Sequence, residues 1–161
     1  MSMDDGRGVL VIAAVISALM IGFGFASYYG LKQKTDHIMM RAQVSADVED
    51  MLVEMRTLEK NMEAEGMTKG HAAVIFTNAS NDMGLQYRGV QRIIQRLESL
   101  SGLRRNSTTY QVALDDIRGT IRELPGPASG WYFAHNGGGA LLLCFLTMWS
   151  IVGIAYYRTN Q

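Results

Sequence analysis

Two long apolar blocks without charge sit near opposite ends of this chain, and everything between them must fold with both in place. Residues Gly8 to Gly30 read GVLVIAAVISALMIGFGFASYYG, 23 positions with no charged side chain. As a helix, such a block extends roughly 34 Å, enough for a hydrocarbon core of about 30 Å. The second block, GALLLCFLTMWSIVGIAYY from Gly139 to Tyr157, is also uncharged and just long enough. Tyr28 and Tyr29, then Trp131, Tyr132 and Phe133, then Tyr156 and Tyr157 mark the block ends, where aromatic rings favour the headgroup level. A cleaved signal peptide is the alternative for the first block. It would call for a basic leader and a shorter apolar run, and Asp4 and Asp5 stand in that leader.

The expected fold is therefore all-α: an integral membrane protein with transmembrane helices over 8–30 and within 131–157, flanking a helical, coiled-coil-like domain over 31–130. The two-span layout, with one large domain between short tails, is common in the inner (plasma) membrane of bacteria, the expected location. Signals for the domain's side conflict. Lys32, Lys34, Arg41, Arg118 and Arg122 outnumber Arg7 and Arg158, which favours the cytoplasm, but a loop longer than about 60 residues escapes that rule.

Within the first block, Ala14, Ala18, Gly22, Ala26 and Gly30 recur every four residues, forming one smooth stripe. Small side chains let helix backbones approach closely in lipid. Thr147 and Ser150 offer polar contacts from the second block. These seven residues are the expected helix-packing interface, directed at the other span or at other chains.

The middle is periodic. Val44, Val48, Met51, Met55, Leu58 and Met62 step by four and three, a helical seam that ends at a Gly66 cap. Leu31 to Gln43 holds neither Gly nor Pro, so one continuous helix from Gly8 to Glu65 is expected, its outer part covering 31–65. A second seam, Met83, Tyr87, Val90, Ile94, Leu97 and Leu100, predicts a helix over 71–101. There "HAAVIFTNASND" reads as helix, with a lone strand as the alternative. A third helix, 107–124, opens at a Thr108–Gln111 capping box and closes at Pro125. Val48, Met51, Met55, Leu58, Met62, Val90, Ile94 and Leu97 are the expected bundle core. If the first helix projects roughly 50 Å, the third is expected to lie tilted, or nearly flat, near the headgroups to let the chain return. A break near Asn78 to Asp82, giving a four-segment bundle, is the alternative.

Chemical signals are sparse. Fifteen basic and fifteen acidic residues balance, which gives no basic footprint for nucleic acid. Cys144 is the single cysteine, so no intramolecular disulfide forms. His37 and His135 flank the two spans on the same side and could together hold haem or a metal, but no third ligand stands at suitable spacing. His71 falls in a turn. Met51, Met55 and Met62 could suit copper(I), yet they occupy the helical seam, where methionine fills a core. "HNGGGA" at 135–140 lacks the Lys-Ser/Thr pair of a phosphate loop and suits a bend or a close helix approach. Neither block carries Asp, Glu, Lys or Arg, so no proton relay is signalled.

No enzyme, catalytic residue, cofactor or metal is expected. The expected function is an accessory or structural subunit of a membrane complex, with other membrane subunits or further copies of itself as partners in the lipid bilayer. The alternative is a sensory or ligand-binding module. In layout alone the chain resembles the sensor halves of bacterial chemoreceptors and histidine kinases, with none of their sequence motifs. Only Arg158 to Gln161 follow the second block, so a sensor would signal through a separate partner.

Overall fold

The structure, a computed structural model, describes residues 3–159. Seven α-helices follow in chain order: α1 (Met3–Lys34), α2 (Asp36–Val44), α3 (Val48–Ala64), α4 (Met83–Leu100), α5 (Thr108–Glu123), α6 (Ala128–His135) and α7 (Gly138–Thr159). Among the described residues there is no strand, only an isolated antiparallel bridge between His71 and Asp82. Both α1 and α7 are long and apolar enough to cross a membrane.

The expected unbroken helix from Gly8 to Glu65 is interrupted twice. Thr35 closes α1, its buried hydroxyl donating to the Leu31 carbonyl at 3.0 Å. The chain then turns back at Ser45–Asp47. Asp47 is extended and caps α3, its carboxylate accepting the Asp50 N–H at 3.0 Å. Glu49 and Asp50 add negative charge to that helix start, where the helix dipole favours it. A helix can therefore stop here without Gly or Pro. Arg118 of α5 secures the turn by donating to the Ser45 carbonyl at 2.7 Å.

α3 thus returns antiparallel to α2. Arg41 pairs with Glu54, and Lys34 pairs with Glu65. α4 runs out again beside α3, joined by Tyr87–Glu63 and Arg56–Glu98 contacts. α5 comes back beside α4, with Arg96 on Asp116. The result is an up-down-up-down bundle of α2 to α5. Such exposed ion pairs contribute at most about 1 kcal/mol each, so they mark the register rather than hold the bundle together.

Burial holds it together. Val48, Met51, Met55, Leu58, Met62, Val90, Ile94 and Leu97 are all buried, interlocked with Tyr110, Leu114, Ile117 and Ile121 of α5. α5 therefore spends its apolar face on the bundle and does not lie flat beneath it. The geometric demand for a flat helix vanished once α3 supplied the return. The α5 cap sits one residue earlier than expected: Ser107, not Thr108, accepts the Tyr110 N–H. Gly66 does end α3, at φ +73, with Met67 N–H bonded to the Met62 carbonyl and Gly66 N–H to that of Glu63.

The expected helix over 71–101 begins only at Met83. Residues 71–82 form a loop with one 3-10 turn, Ala79–Asn81, capped by Asn78. The last structured piece before α7 is α6, which descends along the end of α1. Its first residue, Ala128, donates its N–H to the Asp36 carboxylate at 3.3 Å. Gly137, at φ +84, makes the bend between α6 and α7, the use expected of the glycine run.

Candidate functional site

The junction of α1, α6 and α7 is the most distinctive surface. Gly24 and Tyr28 of α1, Tyr132 and Phe133 of α6, and Leu141 and Phe145 of α7 line an apolar cleft of about 620 Å³ that is open on one side. Glycines shape it around Tyr132. A Cβ on Gly138 would lie 2.5 Å from the Tyr132 ring, and one on Gly24 would lie 3.3 Å from its hydroxyl. The ring also packs on Tyr28, with centroids 5.7 Å apart. The Tyr132 side chain is buried, and its hydroxyl has no hydrogen-bond partner among the described residues. A buried hydroxyl without a partner costs about 1–3 kcal/mol.

One bond ties the far part of the two apolar helices together: Trp149 Nε1 donates to the Ser17 hydroxyl at 2.9 Å. Ser17 and Ala13 are buried there, and Gly24 faces Leu141. The face of α1 turned to α7 is therefore 13, 17 and 24. Ala14, Ala18, Gly22 and Ala26 fall outside it and are exposed, while Gly30 is half-buried. A Cβ on Gly22 or Gly30 would meet nothing of this chain. Thr147 and Ser150 are exposed too, their hydroxyls donating to carbonyls of their own helix. The structure does not bring the seven expected packing residues together within one chain.

The histidines are engaged separately. His37 Nδ1 meets the Gln33 side-chain oxygen at 3.0 Å and its ring stands edge-on to Tyr29. His135 stacks on Trp131, with centroids 3.8 Å apart, and its Nε2 donates to the His71 carbonyl at 2.9 Å. Among the described residues no group of three or more His, Cys, Asp or Glu side chains is placed to hold a metal ion. Met51, Met55 and Met62 are core residues with their thioethers buried. Outside the apolar helices, the Glu63 carboxylate accepting the Tyr87 hydroxyl at 2.6 Å pushes that phenol up to about 12.

Sequence reasoning missed Tyr132 as a site residue, treating it only as an interfacial ring. The readable signal was the Gly138–Gly139 pair close behind it, which clears space for a large side chain. Comparisons with known protein families, curated proteins and solved structures find no match for this chain.

Proposed function

We propose that this chain is a non-enzymatic accessory or structural subunit of a membrane protein complex. It crosses the bilayer twice, through α1 and α7, and carries the α2–α5 bundle on one side. An inner membrane of bacterial type is the location we assign it. The observation that carries this reading is the division of α1 into two faces. One face, at Ala13, Ser17 and Gly24, is taken by α7 and α6. The other, at Ala14, Ala18, Gly22 and Ala26, is smooth and exposed. In lipid there is no hydrophobic drive between helices, so a smooth face gains its stability from close backbone approach by another membrane helix. Its partners are other membrane subunits or further copies of this chain.

The test is native mass and composition after mild-detergent extraction. Other polypeptides at fixed ratio, or a stable homo-oligomer, are the expected outcomes; a monomer overturns the reading. Gly22→Leu sharpens it, because a side chain there meets nothing of this chain. The variant should lose its partners while the bundle still unfolds at the wild-type temperature.

A second reading, a ligand-binding or sensory module, is favoured by the cleft at Tyr132. An apolar cleft with one unpartnered donor suits a lipid-soluble molecule bearing an acceptor oxygen such as a carbonyl. Native mass spectrometry of the protein released from lipid nanodiscs would reveal a retained molecule. Tyr132→Phe should lose it without loss of fold.

A further inference from the structure

The loop between α3 and α4 holds three consecutive large apolar side chains in the open. Val74, Ile75 and Phe76 are 76%, 69% and 87% exposed, in a chain whose other outer helices bury their apolar seams. No Asp, Glu, Lys or Arg occurs from Gly70 to Asn81. The loop is built, not slack. Its base is closed by Ala72 N–H on the Asn81 carbonyl at 2.7 Å and Met83 N–H on that of Gly70 at 2.9 Å. Above the base, Asn78 and Asn81 exchange side-chain to backbone bonds, and Asn81 Nδ2 donates to the Phe76 carbonyl at 3.0 Å. Phe76 is held at φ +60, a region a bulky side chain adopts only when its surroundings impose it.

The location of this loop identifies its surroundings. It leaves the bundle at the end nearest α1 and α7, because α3 returns to Lys34 before the loop begins. The His71 carbonyl accepts from His135, the last residue of α6, three residues before α7 starts. Ala72 lies against α6 so closely that a Cβ on Gly130 would stand 2.3 Å from the Ala72 carbonyl oxygen. The adjoining α6 side chains, Tyr132 and Phe133, line the same cleft as Gly24 and Phe25 of α1. The loop base is thus fixed at the level where the apolar run of α7 begins and that of α1 ends.

We propose that Val74, Ile75 and Phe76 form a wedge that enters the headgroup–acyl boundary of the bilayer beside the two spans. An uncharged loop presenting three apolar side chains at that level is suited to burial about 5–10 Å into the boundary, as interfacial apolar faces are. The wedge is a third contact with lipid and fixes the tilt of the bundle against the membrane plane. This inference rests on the reading of α1 and α7 as membrane spans.

The experiment uses the full chain in phosphatidylcholine nanodiscs, with an environment-sensitive fluorophore on a single cysteine and nitroxide-bearing lipids as quenchers. Ile75→Cys in a Cys144→Ser background reports the wedge. Arg104→Cys in the same background reports the far end of the bundle. The native Cys144, exposed on α7, reports the span. The expected result is blue-shifted, lipid-quenched emission at positions 75 and 144, and water-like, unquenched emission at 104. If 144 is quenched and 75 matches 104, the wedge is overturned while the spans stand. If 144 is not quenched either, the membrane reading itself fails. Blue-shifted emission at 75 without lipid quenching would overturn lipid as the occupant and assign the patch to a protein contact.

Discussion

The α2–α5 bundle and the α1–α7 pair are both helical, yet they are held by opposite means. The bundle buries a continuous seam from all four helices, with Met51, Met55, Leu58, Leu97 and Ile117 almost wholly removed from solvent. The α1–α7 pair exposes most of its large side chains, including Ile12, Leu19, Phe23, Leu143 and Ile151. Its two helices are joined by Gly24 against Leu141 and by the Trp149–Ser17 bond, with the ring of Tyr132 from α6 set at the junction. Water drives the first arrangement through apolar burial, whereas the second is that of two helices long and apolar enough to cross a membrane. A periodic apolar seam in one region and a continuous apolar block in the other thus lead to opposite exposure of large side chains.

Mutations at matched positions can break this contrast. The largest effect is expected in the bundle: Leu58→Ala leaves a cavity among buried side chains and should cost about 2–5 kcal/mol, read by chemical denaturation of the detergent-solubilised chain. In the apolar pair, Gly24→Leu would drive a side chain into the Tyr132 hydroxyl and Leu141 and should cost about 1–3 kcal/mol. Gly22→Leu, two residues away with open space around it, should change the stability of the isolated chain by no more than about 0.5 kcal/mol. A comparable loss in both glycine variants would refute the two-faced description of α1. Between the two glycine effects, Ser17→Ala removes the acceptor for Trp149 and should cost about 1 kcal/mol, with a change in Trp149 fluorescence and none in the bundle's unfolding.

The last test concerns pH and the far corner of the bundle. The Asp50 backbone N–H and the Arg105 guanidinium hold the Asp47 carboxyl below its usual range. A carboxyl lowered on folding stabilises the fold above its unfolded value and loses that contribution as pH falls through the folded one. Wild type should therefore lose stability on acidification from about pH 5 downward. Asp47→Asn keeps a capping oxygen but has no proton to take up, so its stability should change less over the same range. Equal slopes for the two proteins would remove Asp47 from the account.

Much of the architecture was legible. The apolar blocks, the three seams, the Gly66 cap and the bend at the glycine run all follow from local pattern. The break at Ser45–Asp47 was written in capping residues and acidic first-turn charge, signals weaker than Gly or Pro and easily outweighed by an unbroken seam. The loop at 71–82 was harder, because Val-Ile-Phe has the composition of a strand or helix core and nothing local says that it stays exposed. The site residues divide in the same way. The eight expected core positions are buried, since periodicity alone selects a face. The small-residue stripe could be read, but not whether α7 would take it.

The sequence by itself determined that this protein is helical, which residues fill its outer core, and that two helices are long and apolar enough to cross a membrane. These follow from periodicity and hydropathy, which act over one or two helical turns. Only the tertiary structure decided the direction of α3, the standing position of α5, the face of α1 given to α7, and the enclosure of the Tyr132 hydroxyl. Each of those depends on a contact between distant segments, such as Arg118 with Ser45 or Trp149 with Ser17, and no local pattern encodes which of two similar faces a remote partner will meet.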